Sequence, residues 1–219
     1  MDRFQALALF VASGVMLVSF GRTAIRAWQV YAGTGRRRQE DETGRAPLPS
    51  PELMDRLAGL ATFGYRPIGE TRVGLPTGEM FARIVAADDG DSYAIVLDGA
   101  AGTDSSMGIY SAWPDGQWLG TFHALGSPIQ RPSLQLQVET GTIHDAIALH
   151  RQALERLRRA HGEPRRVEVM ADMLALDADY RVRFGGLELR PLVLRGVLSA
   201  LIAGALTLVA LVLVVVLPR

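Results

Sequence analysis

Long apolar runs at the two ends of the chain constrain its fold more than any other feature of the sequence. The first run, residues 4–20, is interrupted only by small or polar residues such as Gln5, Ser13 and Gly14, and the second, residues 197–217, carries no charge. A helix rises about 1.5 Å per residue and the hydrocarbon core of a bilayer is about 30 Å thick, so roughly 20 apolar residues can form a span. The runs predict two transmembrane helices, one with a juxtamembrane extension in residues 1–32 and one in residues 191–219.

The first run has a second interpretation, as a cleaved signal peptide, because small residues near position 20 could form a cleavage site. Residues 1–3 carry almost no net positive charge and the apolar run is long, which favours an uncleaved anchor. The sequence therefore favours an uncleaved anchor over a signal peptide.

The second run has small residues on one side, with Gly196, Ala200 and Gly204 at four-residue spacing. Such a stripe lets two membrane helices approach each other closely. It predicts that the two spans pack together or that the protein dimerises through them. Glycine and alanine are also common in any membrane helix, so the stripe can equally have no specific role.

The placement of arginine predicts an orientation. Arginines cluster at the inner ends of both runs, whereas the outer ends carry only Arg3 and Arg219. Positively charged residues are retained on the cytoplasmic side, so we expect a cytoplasmic central domain with both termini outside the cell membrane. The expected partners are the lipid bilayer and either another membrane protein or a second copy of the chain, bound through the transmembrane helices.

Two residue types are missing from the sequence, and their absence excludes whole classes of chemistry. All basic residues other than histidine are arginines, which is typical of a GC-rich bacterial coding sequence, and there is no cysteine. Without lysine there can be no Schiff base and no phosphate-loop lysine, and without cysteine no thiol nucleophile, disulfide or thiolate metal site. The formal net charge is +0, so we expect no nucleic-acid partner, and no motif indicates a cofactor.

Between the runs, the sequence predicts a linker and one domain. Residues 33–49 are rich in glycine, proline and charge, which indicates a flexible charged linker. Residues 50–190 form the predicted domain, which begins with a helix capped by Ser50 and contains a long helix capped by Thr142 and Asp145. About six stretches between these helices alternate apolar and polar residues, and turn residues separate them.

The predicted fold class is therefore α+β. An antiparallel β-meander of about six strands is covered on one face by the long helix, because a sheet with one wet face must bury the other. The two transmembrane helices flank this two-layer domain.

His150 and His123 are the side chains most suggestive of chemistry. His150 falls on the apolar side of the long helix and would face the sheet, either as a buried ligand or base or as a hydrogen-bonded core residue. His123 ends a predicted strand, and the two histidines could meet between sheet and helix. The carboxylates of Asp88, Asp89 and Asp91 are interpreted as a turn, because the later ligand positions of a calcium loop are missing.

Aromatic residues are densest in the predicted hairpin, at Tyr110, Trp113, Trp118 and Phe122. If they share one face, they could line a pocket or a partner surface. Cross-strand aromatic pairing would explain them equally well.

These observations lead to three functional hypotheses. The first is an integral membrane protein whose cytoplasmic α+β domain is a protein-interaction or sensing module without catalytic activity. The second is a small-molecule or lipid-binding domain with a pocket between the sheet and the long helix. The third is a hydrolase that uses His123 or His150. Because no catalytic, metal or cofactor motif is present, whether the protein is an enzyme stays undecided, and a non-enzymatic role is the favoured expectation.

Overall fold

The computed structural model describes residues 3–33, 39–75, 78–98, 106–123, 128–185, 187 and 190–216. Its elements, in chain order, are α1 (Arg3–Gly33), α2 (Pro51–Ala61), β1 (Tyr65–Leu75), β2 (Gly78–Ala87), β3 (Tyr93–Leu97), β4 (Ser106–Ala112), β5 (Trp118–His123), β6 (Ile129–Arg131), β7 (Leu134–Glu139), α3 (Ile143–His161), α4 (Met170–Phe184) and α5 (Arg190–Val216). The chain divides into two compact units. One contains α1 and α5, and the other, called here the α+β unit, covers Arg38–Gly74 and Glu79–Arg183.

The α+β unit is built on one seven-stranded sheet in the order β1-β2-β3-β4-β5-β7-β6. The prediction of an α+β fold with a mostly antiparallel sheet is confirmed. The sheet is not a simple meander, however, because β7 pairs with β5 in parallel and with β6 antiparallel. The short strand β6 lies at the sheet edge and the chain turns back, so that β7 is inserted between β5 and β6.

Helices cover both faces of the sheet, which differs from the predicted two layers. Ser111 and Thr121 contact α3 through His150. Residues adjacent in a strand point to opposite faces, so Tyr110 and Trp118 lie on the other face, where both rings contact Tyr180 of α4. Leu134 and Leu136 of β7 are buried on this same face, so the sheet has a helix on each side.

Local capping interactions explain where the helices begin. Ser50 accepts from the backbone N–H of Leu53 at the start of α2, and Pro51 occupies the first turn, where its missing N–H costs nothing. Thr142 and Asp145 form the predicted capping box at the start of α3, each side chain bonding the other residue's backbone N–H. These caps satisfy backbone donors that the first helical turn leaves without partners.

Residues 39–49 belong to the predicted linker, whose residues 34–38 lie outside the described part of the chain. Asp41 forms an isolated antiparallel bridge with Thr71 of β1, and Thr71 donates from its hydroxyl to the Glu40 carbonyl at 3.0 Å. The carboxylate of Glu70 accepts backbone N–H groups of Gly44 and Ala46. The segment therefore occupies part of the outer edge of β1, where an open strand would expose its hydrogen-bonding groups.

The α1–α5 pair is antiparallel. A Cβ atom on Gly196 would lie 3.4 Å from Cα of Ala24, and one on Gly204 would lie 3.5 Å from a Leu17 methyl group, so rising numbers on α5 meet falling numbers on α1. Ala203 and Ala210 of α5 are buried. Small residues thus form the side of α5 that faces α1, and they allow a close backbone approach.

The prediction of two transmembrane helices is corrected. Across the described residues, the structure contains no helix that is both sufficiently long and sufficiently apolar to cross a membrane.

Three other predictions depended on those helices and are corrected with them. They are the description as a two-span integral membrane protein, the cytoplasmic location of the central domain with external termini, and the function built on that location. The finding that overturns them is the same: the described residues contain no helix that is long and apolar enough to span a membrane.

Candidate functional site

His150 is a fully hydrogen-bonded core residue between α3 and the sheet. Its Nε2 lies 3.1 Å from Ser111 Oγ and its Nδ1 lies 2.9 Å from Thr121 Oγ1. The Ser111 hydroxyl donates to the Asp91 carbonyl at 2.7 Å, so it can only accept from the imidazole. Nε2 therefore carries a proton, and in the neutral ring Nδ1 is the acceptor of a hydrogen bond from Thr121.

Burial decides the chemistry of His150. The residue is 1% exposed, and burial, with a smaller contribution from the nearby Arg151 charge, lowers the pKa of the imidazole to about 3. A general base needs a pKa near the working pH and access to the proton it removes. Ser111 gives its proton to a backbone carbonyl instead, so the Ser111–His150 contact is not an activated nucleophile.

His123 is likewise engaged at both ring nitrogens. Arg56 of α2 donates from Nη1 to His123 Nδ1 at 2.8 Å, and His123 Nε2 donates to the Gly141 carbonyl at 2.9 Å. Arg56 also reaches Glu52 one turn earlier, at 3.4 Å. The imidazole thus joins α2, the end of β5 and the turn before α3. His123 and His150 bind different partners, and the structure does not bring them together into one site.

The four aromatic residues singled out in the hairpin lie on two faces. Trp113 packs against Leu119, Ala153 and Leu154 on the α3 side, and its indole N–H donates to the Gly162 carbonyl at 2.9 Å. Tyr110, Trp118 and Phe122 lie on the α4 side.

The rings on the α4 side form a network with Tyr93 and Tyr180. Tyr110 contacts Tyr93 at 5.5 Å, Phe122 at 5.8 Å and Tyr180 at 6.3 Å between ring centroids, and Trp118 contacts Tyr180 at 5.1 Å. Tyr180 comes from α4, so these rings join the helix to the sheet. The arrangement is the cross-strand packing that the sequence offered as an alternative to a pocket.

The space between sheet and long helix, where a ligand pocket was hypothesised, is filled by side chains. The α3 residues Ala146 and Ile147 pack against buried apolar residues of the strands and of α2. The other members of this cluster are Leu53, Leu60, Tyr65, Val85, Ala87, Ala94, Val96, Met107 and Ile109. His150 continues this layer with its two hydroxyl partners. The pocket hypothesis therefore loses its proposed location.

Charged residues that could have formed a metal site are used in ion pairs and turns. Asp91 pairs with Arg158 of α3, and burial raises the pKa of its carboxyl group. Gly90, with φ of +77°, allows the predicted turn between β2 and β3. Asp177 is buried against Arg181 at 2.5 Å. Among the described residues, no three acidic or histidine side chains are grouped as metal ligands would be.

The contact between His161 and Asp115 was not anticipated. His161 Nδ1 lies 2.6 Å from Asp115 Oδ2, joining the end of α3 to the β4–β5 turn. The hydrogen bond from His161, aided by the Gln117 backbone N–H, lowers the pKa of the Asp115 carboxyl group. Asp115 and His161 are 46 residues apart, so no spacing rule could have paired them. The pair ties the turn to the helix end, which is a structural role.

The outer surface of the α1–α5 pair is the most unusual surface in the described part of the chain. Its exposed large apolar side chains are Phe4, Leu7, Val11, Val15, Met16, Val18, Phe20 and Ile25 on α1, and Leu194, Val197, Leu198, Leu201, Ile202, Leu206, Leu208, Val209 and Val212 on α5. A monomeric protein rarely exposes a contiguous apolar patch larger than a few hundred Å². This surface therefore requires an apolar cover.

The stripe Gly196, Ala200 and Gly204 lies near this surface but does not contribute to it. Gly196 and Gly204 lie against α1, and Ala200 is half-buried. The stripe is thus on the inner side of the helix pair, and the large side chains are on the outer side.

Comparison with known proteins supplies no relative. No protein-family model, curated protein or solved structure matches this chain, so its function has to be inferred from its own geometry.

Proposed function

We propose that this protein is a non-catalytic assembly protein and that its α1–α5 pair is the surface that binds a protein partner. The observation that carries the proposal is the apolar outer surface of the pair. Phe4 is 80% exposed and Leu194 is 68% exposed, and each helix exposes several other large apolar side chains. Large exposed apolar patches mark interaction sites.

Helix α5 is the main element of this surface. Residues 196–216 contain no charged residue, and large apolar side chains extend over every side of the helix except the small-residue side against α1. A helix that is apolar all round is buried in its working state. Since α1 covers only one side, the remaining sides of α5 are available to a partner.

The α+β unit supports the non-catalytic part of the proposal. His150 and His123, the side chains that would carry a hydrolase, have both ring nitrogens occupied by structural partners. The space proposed for a ligand is filled by core side chains. The polar groups that suggested chemistry therefore stabilise the fold.

The chemistry of the surface defines the kind of partner. With no charge along residues 196–216, α5 offers neither ion pairs nor electrostatic steering to its partner. Complementary packing is the remaining source of specificity, so the partner surface is apolar and uncharged. A charged side chain placed in such an interface would be buried without a counter-ion and would weaken it strongly.

Cross-linking in cells tests the proposal. The full-length protein is compared with the double variant Val15→Glu/Leu201→Glu, which places charges on exposed positions of both helices. Cross-linked peptides are then mapped by mass spectrometry. We expect a polypeptide cross-linked to α1 or α5 that decreases at least tenfold in the double variant. Val182→Glu is the matched control, because Val182 is 79% exposed in α4 and lies outside the pair.

Two results would overturn the proposal. In the first, cross-links to other polypeptides map to the α+β unit and persist in the double variant. In the second, the protein is recovered as a monomer without any other polypeptide, and lipid or detergent alone covers the apolar surface.

A further inference from the structure

Helix α5 carries two apolar seams of coiled-coil spacing on opposite sides. The inner seam consists of small residues that face α1, and its positions are Gly196, Ala200, Ala203, Thr207 and Ala210. The outer seam is exposed, and its positions are Leu194, Leu198, Leu201, Ala205, Leu208 and Val212. Positions 196 and 198 are two residues apart, about 200° around the helix, so the seams point in opposite directions.

The outer seam, called here the leucine face, has the residue spacing of a coiled-coil seam. Its positions alternate in steps of four and three, which is the spacing of a and d positions in a heptad repeat. Leucine occupies all three d positions, Leu194, Leu201 and Leu208, and each of these side chains is more than 60% exposed. The a positions hold a leucine, an alanine and a valine. Leucine at d combined with a β-branched residue at a favours two parallel helices, and Leu208 with Val212 supplies that combination.

The available area is sufficient for a specific dimer. A large aliphatic side chain loses about 60–120 Å² of surface on full burial. The leucine face and its flanking residues Val197, Ile202 and Val209 are on average more than half exposed. Their full burial would remove roughly 300–600 Å² on each copy, or about 600–1,200 Å² for the pair, a range that includes the lower limit of about 1,000 Å² for specific interfaces.

The leucine face is complementary to the same face of a second copy of the chain. The face is uncharged, and an uncharged helix with the same heptad repeat would be complementary to it. The chain itself supplies such a helix. In a parallel two-fold pair each d residue faces the same residue of the other copy, so the leucines align without any change of register.

We propose that a second copy of this chain covers the leucine face, forming a parallel α5–α5 seam at the centre of a four-helix arrangement with α1 on each outer side. The inference rests on the proposed function and names its partner. The inner seam keeps each α1–α5 pair together, and the leucine face joins two such pairs.

Single cysteines test this arrangement directly, because the chain contains none of its own. Leu201→Cys, at a d position, and Leu206→Cys, at an exposed position about 140° away around α5, are introduced separately into the full-length protein. In a parallel seam the α-carbons at position 201 of the two copies would come within the roughly 4.4–6.8 Å that a disulfide needs. After mild oxidation in excess non-ionic detergent, we expect a covalent dimer from Leu201→Cys at least tenfold more abundant than from Leu206→Cys.

The other outcomes are distinguishable. Equal cross-linking at both positions, or none at position 201 while the unmodified protein sediments as a dimer, would overturn the leucine-face seam. If a different polypeptide, and not a second copy of the chain, is found bound at position 201, self-association is overturned. The proposed function would then remain intact. A strictly monomeric protein without a polypeptide partner in cells would overturn both. Unchanged near-ultraviolet circular dichroism shows that each variant is folded.

Discussion

Ser111 and His150 are joined by a hydrogen bond whose direction is set by a third group. Ser111 Oγ lies 3.1 Å from His150 Nε2 and 2.7 Å from the Asp91 carbonyl, which can only accept. The hydroxyl proton therefore points away from the imidazole. A serine and a histidine in contact thus form a structural link between β4 and α3, where the opposite direction would have resembled a catalytic pair.

Replacing His150 should destabilise the protein. His150→Ala removes two buried hydrogen bonds and leaves a cavity, so we expect the free energy of unfolding to fall by about 2–5 kcal/mol. Chemical denaturation followed by circular dichroism measures the change. His144→Ala is the matched control on the same helix, because His144 is exposed and should cost below about 1 kcal/mol. Equal losses in both variants would contradict the structural role of His150.

The contribution of His150 to the free energy of unfolding should depend on pH. The pKa of its imidazole is about 3 in the folded protein and 6.5 for an unperturbed histidine, so below pH 6.5 the unfolded chain binds a proton that the folded chain does not. The contribution of this residue is complete above pH 6.5 and is lost as the pH falls towards 3, at up to about 1.4 kcal/mol per pH unit.

Two buried carboxyl groups change the free energy of unfolding in the opposite direction over part of this pH range. Burial raises the pKa of Asp91 and Asp177, and their protonation favours the folded state as the pH falls. Comparison of the wild type with His150→Gln isolates the histidine. We expect the difference in unfolding free energy between the two proteins to shrink steadily from about pH 6.5 to about pH 4. A constant difference would be inconsistent with a neutral buried imidazole.

Replacing Arg56 should lower the free energy of unfolding and change the environment of the His123 imidazole. Arg56→Met removes the donor to His123 Nδ1 and leaves a buried acceptor, so we expect a loss of about 1–3 kcal/mol. Nitrogen NMR of His123 should show a changed environment at Nδ1, while Nε2 keeps its bond to Gly141. Arg45→Met is the control, because Arg45 is 73% exposed and its ion pair with Glu42 should contribute about 1 kcal/mol or less.

The two sides of the α1–α5 pair should respond differently to the same substitution. Gly196→Leu forces a side chain against Ala24, where a Cβ would already lie 3.4 Å from Cα, so we expect a loss of about 1–3 kcal/mol. Gly21→Leu meets no atom of the described residues within 4 Å and should be neutral or gain up to about 1 kcal/mol from helix propensity. Thermal unfolding followed by far-ultraviolet circular dichroism distinguishes the two. A similar melting temperature for both variants would contradict the close approach of the helices.

Much of the α+β unit could be predicted because the signals are local. Proline at position 51, the capping pair Thr142–Asp145 and the turn at Gly116 depend on residues within a few positions of one another. Strand β6 had no such signal, since three residues are too few to show alternation. The parallel pairing of β5 with β7 follows from where β6 lies in the sheet, and that depends on contacts far apart in sequence.

The candidate site was less predictable for the same reason. The sequence placed His150 on the buried side of α3 but could not name Ser111 and Thr121, which lie 39 and 29 residues away. His161 and Asp115 were not paired at all. A polar side chain takes its role from its hydrogen-bond partners, and spacing along the chain does not reveal them.

The sequence by itself determined the order of the helices and of the strands other than β6, the caps, the absence of lysine and cysteine chemistry and the concentration of apolar residues at both ends. Each of these follows from local composition and periodicity. The tertiary structure decided that helices cover both sheet faces, that His150 and His123 are structural links, and that the small residues of α5 face α1 while its leucines face outward. It also corrected the transmembrane helices expected from the apolar runs, within the residues that the structure describes. The physical reason is that burial and hydrogen bonding are set by which elements meet in space.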